Sequence, residues 1–184
     1  PTAALIGRVV PIKDIEAFIA AAAVVRRAIP DVEILIIGPT DEDAAYHDLC
    51  RRRVAELGLG DTVRFTGKVN IVDYMSRIHV LVLTSISEAQ PLVLLEGGAA
   101  RIPCVATDVG SCREIIEGAP EEVPNLGMGG RVVPPMDGEA IGQAIAELLR
   151  DPALRKACGA VLRDRVARHF TSAGSAAQYR SLYQ

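Results

Sequence analysis

Two rhythms of apolar residues alternate along the chain. Nearly continuous apolar runs at Ala3–Ile6, Val32–Ile37, Ile78–Leu83 and Pro103–Ala106 read as parallel strands, because a strand covered on both faces needs no polar alternation. Thr62–Thr66 alternates as a strand, and Gly127–Val133 reads as a final short one. Between these runs the period lengthens. Ile15, Ile19, Ala22 and Val25 fall at helical spacing over Ile15–Ile29, with Asp14 as N-cap. Asp41–Leu57 is a long charged helix closed by Gly58 and Gly60, with the character of a solvent-facing cover. Asn70 caps a short helix over Ile71–Arg77. Further helices are predicted from Pro91, over Cys112–Glu117, from Asp137 to Arg150, from Pro152 to about Phe170, and over Ser172–Leu182. Gly118–Leu126, polar and carrying Pro120 and Pro124, is an excursion loop.

Strands that alternate with helices in this way form a parallel sheet covered on both faces. The expected fold is α/β, a Rossmann-like three-layer αβα sandwich with about six parallel strands. Residues 1–184 read as one domain, with 152–184 its C-terminal helices.

Composition narrows the partners. A formal net charge of −3 gives no basic face for nucleic acid. Cys50, Cys104, Cys112 and Cys158 are scattered, with no metal-ligand spacing, which points to a reducing compartment and a metal-free fold. No apolar run approaches the ~20 residues of a spanning helix, and no signal-peptide pattern opens the chain. A cytoplasmic location is expected. The chain has no initiator Met and enters a strand almost at once, which reads as a piece of a longer protein.

The chemistry concentrates in residues 84–98. After the Ile78–Leu83 strand, Pro91 suits a first helical position, since its missing N–H is no loss there. The amides of Leu92 and Val93 then form an anion site at a strand's carboxyl end. Glu88 lies in the preceding loop and Glu96 in the helix. Leu92, Val93, Leu94, Leu95, Ala99 and Ala100 make that helix apolar nearly all round, so it should be buried, and Glu96 should need partners. Gly97 and Gly98 imply that something approaches the backbone closely. Lys13 opposes the dipole at the start of its helix, a penalty that an anion held with Arg8 would reverse. The alternative is that Arg8 and Lys13 are hydrated surface side chains. His79, within a core strand, reads as structural. The G-x-G-x-x-G fingerprint does not follow the first strand, which disfavours a nicotinamide or flavin enzyme. A signalling receiver would need acids where Arg8 stands.

Gly7-Arg8 through Lys13, together with the Glu88–Glu96 pair and its intervening Pro-Leu, resembles the C-terminal domain of GT-B glycosyltransferases of the retaining family 4, with its E-x7-E motif. The resemblance is strongest over Ala3–Gly118. Gly-Arg-Val-Val-Pro-Ile-Lys-Asp, Gly-Pro-Thr-Asp-Glu-Asp and Val-Ala-Thr-Asp-Val-Gly-Ser-Cys-Arg-Glu look closest to the Pel-type exopolysaccharide glycosyltransferases. The resemblance implies a UDP-sugar donor and no cofactor or metal. Arg8, Lys13 and Glu88 would form the catalytic set. Gly7, Gly38, Val69, Gln90, Pro91, Leu92, Val93 and Glu96 would complete the nucleotide-sugar site. Glu96 would meet the ribose hydroxyls, Glu88 the transferred sugar, and Val69 the base. Gln90 departs from the bulky apolar residue common at its position, and Gly38-Pro39 replaces the usual Gly-x-Gly. A polysaccharide acceptor would be held by a missing N-terminal domain, within a possible membrane-associated synthase complex. The fragment alone would transfer nothing. A nucleotide-sugar epimerase of the same architecture, and a non-catalytic binding scaffold or sensor, are the competing readings.

Overall fold

In the computed structural model, which describes residues 1–171 and Arg180, six strands form one parallel sheet. They are β1 (Thr2–Ile6), β2 (Glu33–Ile37), β3 (Val63–Gly67), β4 (Val80–Leu83), β5 (Cys104–Thr107) and β6 (Gly130–Val133). Their spatial order is β3-β2-β1-β4-β5-β6. Ala3 therefore pairs with Ile34 on one side and with Val80 on the other. The helices are α1 (Ile15–Ala28), α2 (Ala44–Glu56), α3 (Val72–Met75), α4 (Leu92–Ala99), α5 (Cys112–Glu117), α6 (Gly138–Arg150) and α7 (Pro152–His169). The predicted helix over Ser172–Leu182 lies outside the described residues apart from Arg180.

Side-chain alternation along the strands divides the core into two layers. Leu5, Ile34, Ile36, Val80 and Val82 pack with Phe18, Ile19 and Val25 of α1 and with Ile145 and Leu148 of α6. Ala4, Leu35, Leu81, Leu83 and Cys104 face the other way, onto Leu94 of α4, Ile115 of α5 and Leu162 of α7. β4 and β5 are buried along their whole length, as continuous apolar runs require. His79 stands just before β4 rather than inside it. It is exposed, and its Nδ1 accepts from the Thr2 amide at 3.2 Å.

The helix starts differ in a way that matters for the site. Asp14, Asp43, Asp137 and Asp151 each cap α1, α2, α6 and α7 through a side-chain oxygen that accepts from the first-turn amides. Among the described residues, no side chain caps α4. Pro91 occupies its cap position with an extended ψ of 106°, one residue earlier than the expected first helical position. The first-turn amides of α4 thus keep their partial positive charge free of an acidic cap.

Two expectations for α4 part company. The close approach at its glycines is real. A methyl at Gly97 would stand 2.5 Å from Leu81 Cδ2, and one at Gly98 would stand 2.7 Å from Val166 Cγ2. Gly97→Ala is expected to cost about 1–3 kcal/mol through overpacking. Urea unfolding measures it, and an unchanged midpoint would mean that Leu81 yields freely. Burial of the whole helix is overturned. Leu94, Gly97 and Gly98 are buried, whereas Leu92 is 65% exposed and Glu96 is exposed. Among the described residues the helix packs against β4, β5, α5 and α7, and its side bearing Leu92, Glu96 and Ala99 meets solvent. Glu96 needs no buried partner.

Candidate functional site

The chain leaves β1 toward β2 on one side and returns to β4 on the other, so the loops after β1 and β4 stand together at the carboxyl ends of the sheet. Open α/β sheets present their ligand crevice at such a point. Polar anchors lock the two loops to each other. The buried Thr84 hydroxyl donates to the carbonyls of Lys13 (2.7 Å) and Asp14 (3.0 Å), and the Ile86 amide donates to the Ile12 carbonyl (3.0 Å). Pro11–Lys13 forms a single 3-10 turn, and Asp14 follows it in the left-handed region at φ 46°. That turn sets Lys13 on the crevice side, while Asp14 caps α1.

A third loop, after β5, supports the second. The Thr107 hydroxyl donates to the Ser85 carbonyl at 2.6 Å, and the Ser111 amide donates to the Ala89 carbonyl at 2.9 Å. Gly110, at φ 50°, lies so close that a Cβ there would stand 2.3 Å from the Glu88 carbonyl oxygen. Only glycine fits that position.

On this frame the Lys13 ammonium donates to Glu88 Oε1 at 2.5 Å, and Ser85 Oγ donates to the same oxygen at 2.6 Å. Both charged side chains are about four-fifths shielded from solvent. Arg8 instead pairs with Glu42, from the loop before α2, and both are about half exposed. The sequence left two alternatives for Arg8 and Lys13, a shared anion or simple hydration. The structure holds a third arrangement, in which each cation is paired with an acid of its own chain.

Gly7, Arg8, Gly38 and Val69 line one cavity of about 210 Å³ above β1–β3, with Ile6, Ile37 and Ile71 as its apolar walls. Lys13 adjoins it, since its Cε lies 3.7 Å from where a Gly7 Cβ would stand. Gln90 is exposed, Pro91 is buried, and Leu92, Val93 and Glu96 belong to the first turns of α4 beyond Glu88. Lys68, Ser85 and Glu42 were missed by the sequence reading. Ser85 three residues before Glu88, and Lys68 beside Val69, were the available signals. A larger cavity of about 610 Å³ between α1 and α2 holds none of the predicted residues. Among the described residues, no group of His, Cys, Asp and Glu is arranged to hold a metal ion. Burial pushes the Cys50 and Cys112 thiols up to about 12 and 11, so neither is a ready nucleophile. No helix among the described residues is long and apolar enough to cross a membrane.

Comparison with known proteins places this geometry. Residues 1–151 match the model of the family described as glycosyl transferases group 1. Lipopolysaccharide core biosynthesis mannosyltransferase LpcC of Rhizobium leguminosarum bv. viciae is 36% identical over 121 residues, 65% of this chain and 32% of that protein. An exopolysaccharide phosphotransferase of Streptomyces coelicolor is 35% identical over 157 residues, 83% of this chain and 15% of that protein. The chain therefore spans less than half the length of either relative. Anabaena HepE, solved with UDP and glucose, superposes with a TM-score of 0.85 at 19% identity, over 99% of this chain and 47% of that one. That likeness speaks for the fold, a Rossmann-like α/β domain of the kind found in GT-B enzymes. The family match covers most of the chain, and the chain belongs to the glycosyl transferases group 1 family.

Proposed function

We propose that this domain holds the nucleoside diphosphate of a sugar donor, and that the whole protein is a retaining glycosyltransferase of family 4 acting in exopolysaccharide synthesis. The observation that carries the reading is the uncapped start of α4 set beside the shielded Lys13–Glu88 pair. A diphosphate there meets free helix amides and two cationic side chains. As the glycosidic bond breaks, negative charge grows on the departing phosphate oxygen. Arg8, Lys13 and the amides of Leu92 and Val93 stabilise it. These groups supply the positive charge themselves, so the reading includes no metal and no cofactor. The cavity of Gly7, Gly38 and Val69 accepts the base. Glu96, exposed one turn into α4, accepts hydrogen bonds from the ribose hydroxyls. Glu88 and Gln90 face the transferred sugar.

UDP is the nucleotide proposed, with a UDP-hexose such as UDP-glucose as donor. HepE was solved with UDP, and LpcC is named for lipopolysaccharide core biosynthesis. The Pel-type resemblance directs the proposal to a cytoplasmic enzyme of a membrane-associated synthase complex. An N-terminal domain would hold the acceptor.

Calorimetric titration with UDP, GDP and ADP tests this reading. Saturable UDP binding is expected, about tenfold weaker in Glu96→Ala, the loss that follows from charge-assisted hydrogen bonds to one diol. Silence of the full-length protein toward all three nucleotides would overturn it. Binding of UDP-sugar without transfer by the full-length protein would favour a scaffold.

A further inference from the structure

We propose that Glu42 is an internal competitor for the donor diphosphate, holding Arg8 until the ligand displaces it and retaking Arg8 as the product leaves. This rests on the donor-site reading above. Arg8 Nη1 donates to Glu42 Oε1 across the gap between the β1 and β2 loops. The placement is not accidental to the local structure. The Val9 amide donates to the Pro39 carbonyl at 3.0 Å, which ties the two loops together. Asp43, the next residue, accepts from the Tyr46 amide at 2.9 Å and fixes where the loop enters α2. Glu42 is thus delivered to the guanidinium from a loop anchored on both sides.

The two ion pairs of the site are unequal. Lys13–Glu88 is shielded, and Ser85 holds it as a third member. Glu88 also has a role of its own in the donor reading. Arg8–Glu42 is about half exposed, and Glu42 has no second hydrogen-bonding partner among the described residues. An exposed pair of this kind contributes little to stability, so its effect falls on Arg8. Arg8 carries five donors but one charge, and a phosphate must share or replace the carboxylate already there. Glu42 therefore acts as a positioning residue. It weakens nucleotide binding and speeds release.

Glu42→Gln is expected to bind UDP about two- to fivefold more tightly, with the gain in a slower dissociation rate and with uridine binding unchanged. Removing any nearby negative charge could tighten an anion nonspecifically, so the same substitution is made on Arg8→Ala. The gain should vanish there. Equal or weaker UDP binding by Glu42→Gln overturns the inference while leaving the donor site intact, and so does an undiminished gain without Arg8. A wild-type protein that binds no nucleoside diphosphate removes the donor reading, and this inference with it. Unchanged thermal unfolding of Glu42→Gln confirms that affinity, not folding, was altered.

Discussion

Arg165→Ala is expected to lower the unfolding free energy by about 3–5 kcal/mol, the range for breaking one side of a buried ion pair. Arg165 sits on α7 at 1% exposure, and Glu122 keeps only 4% of its side chain in solvent. Arg165 Nε donates to Glu122 Oε1 at 2.6 Å and Nη2 to Oε2 at 2.8 Å, a two-point match of guanidinium and carboxylate. The remaining donors reach the Ile116 carbonyl at 2.8 Å and the Gly127 carbonyl at 2.6 Å. One side chain thereby pins the loop between α5 and β6 to α5 and α7. Alanine leaves the Glu122 carboxylate buried with the Leu126 amide as its remaining hydrogen-bond donor.

The pH dependence follows from the same pair. Hydrogen bonds from Arg165 hold the Glu122 carboxyl down to about 2, below the unfolded value of about 4.3. A depressed folded value adds stability that is complete above the unfolded value and is lost as pH falls toward 2. Wild-type stability should therefore decline from about pH 5 to pH 2, and Arg165→Ala should show a shallower decline from a lower start. Urea unfolding at pH 7 and pH 3 measures both effects. The paired change Arg165→Met with Glu122→Leu should recover much of the loss. A deficit under about 1 kcal/mol at pH 7 would contradict the account.

Lys13→Ala is expected to weaken UDP binding by about 30-fold or more, about 2 kcal/mol, in line with charge-assisted hydrogen bonds. The loss has two sources. The variant deletes a cation that would touch the diphosphate. It also leaves Glu88, paired with Ser85 alone, facing the incoming phosphate as an unneutralised charge. Adding Glu88→Gln should restore part of the binding, because UDP lacks the sugar that Glu88 is proposed to contact. Titration of the three proteins with UDP separates the terms. Wild-type affinity in Lys13→Ala would contradict the role assigned to Lys13.

The layers and their order of elements were legible because each rests on local rhythm. Continuous apolar runs become strands covered on both faces, and Asp14 caps α1 as its position suggests. The misreadings share another origin. A helix apolar nearly all round carries a weak directional signal, and in α4 Glu96 alone marked the side that lacks a neighbour. Pairings across the fold are silent in sequence. Arg8 meets Glu42 34 residues on, Lys13 meets Glu88 75 residues on, and Arg165 meets Glu122 43 residues back. The Ala- and Arg-rich closing segment suggested no chemistry, and Arg165 is found there because burial converts a surface-type residue into a structural one. Gly7, Arg8, Gly38 and Val69 line one cavity, with Lys13 adjoining it. Their cations are already neutralised within the chain, which spacing cannot reveal.

The central position of β1 also governs how the chain is made. β1 leaves the ribosome before the other strands of this sheet, and β2 can pair with one of its edges soon afterwards. The other edge waits for β4, whose first residue is Val80. Through that interval an apolar strand destined for the middle of the sheet presents unpaired amides and carbonyls, the condition under which nascent chains associate wrongly. Rapid passage from β1 to β4, or cover by a chaperone, would shorten that exposure. Lys13 shares the wait. Its anchor Thr84 and its carboxylate Glu88 are both synthesised after β4, so the site can close only once the exposed edge has gone.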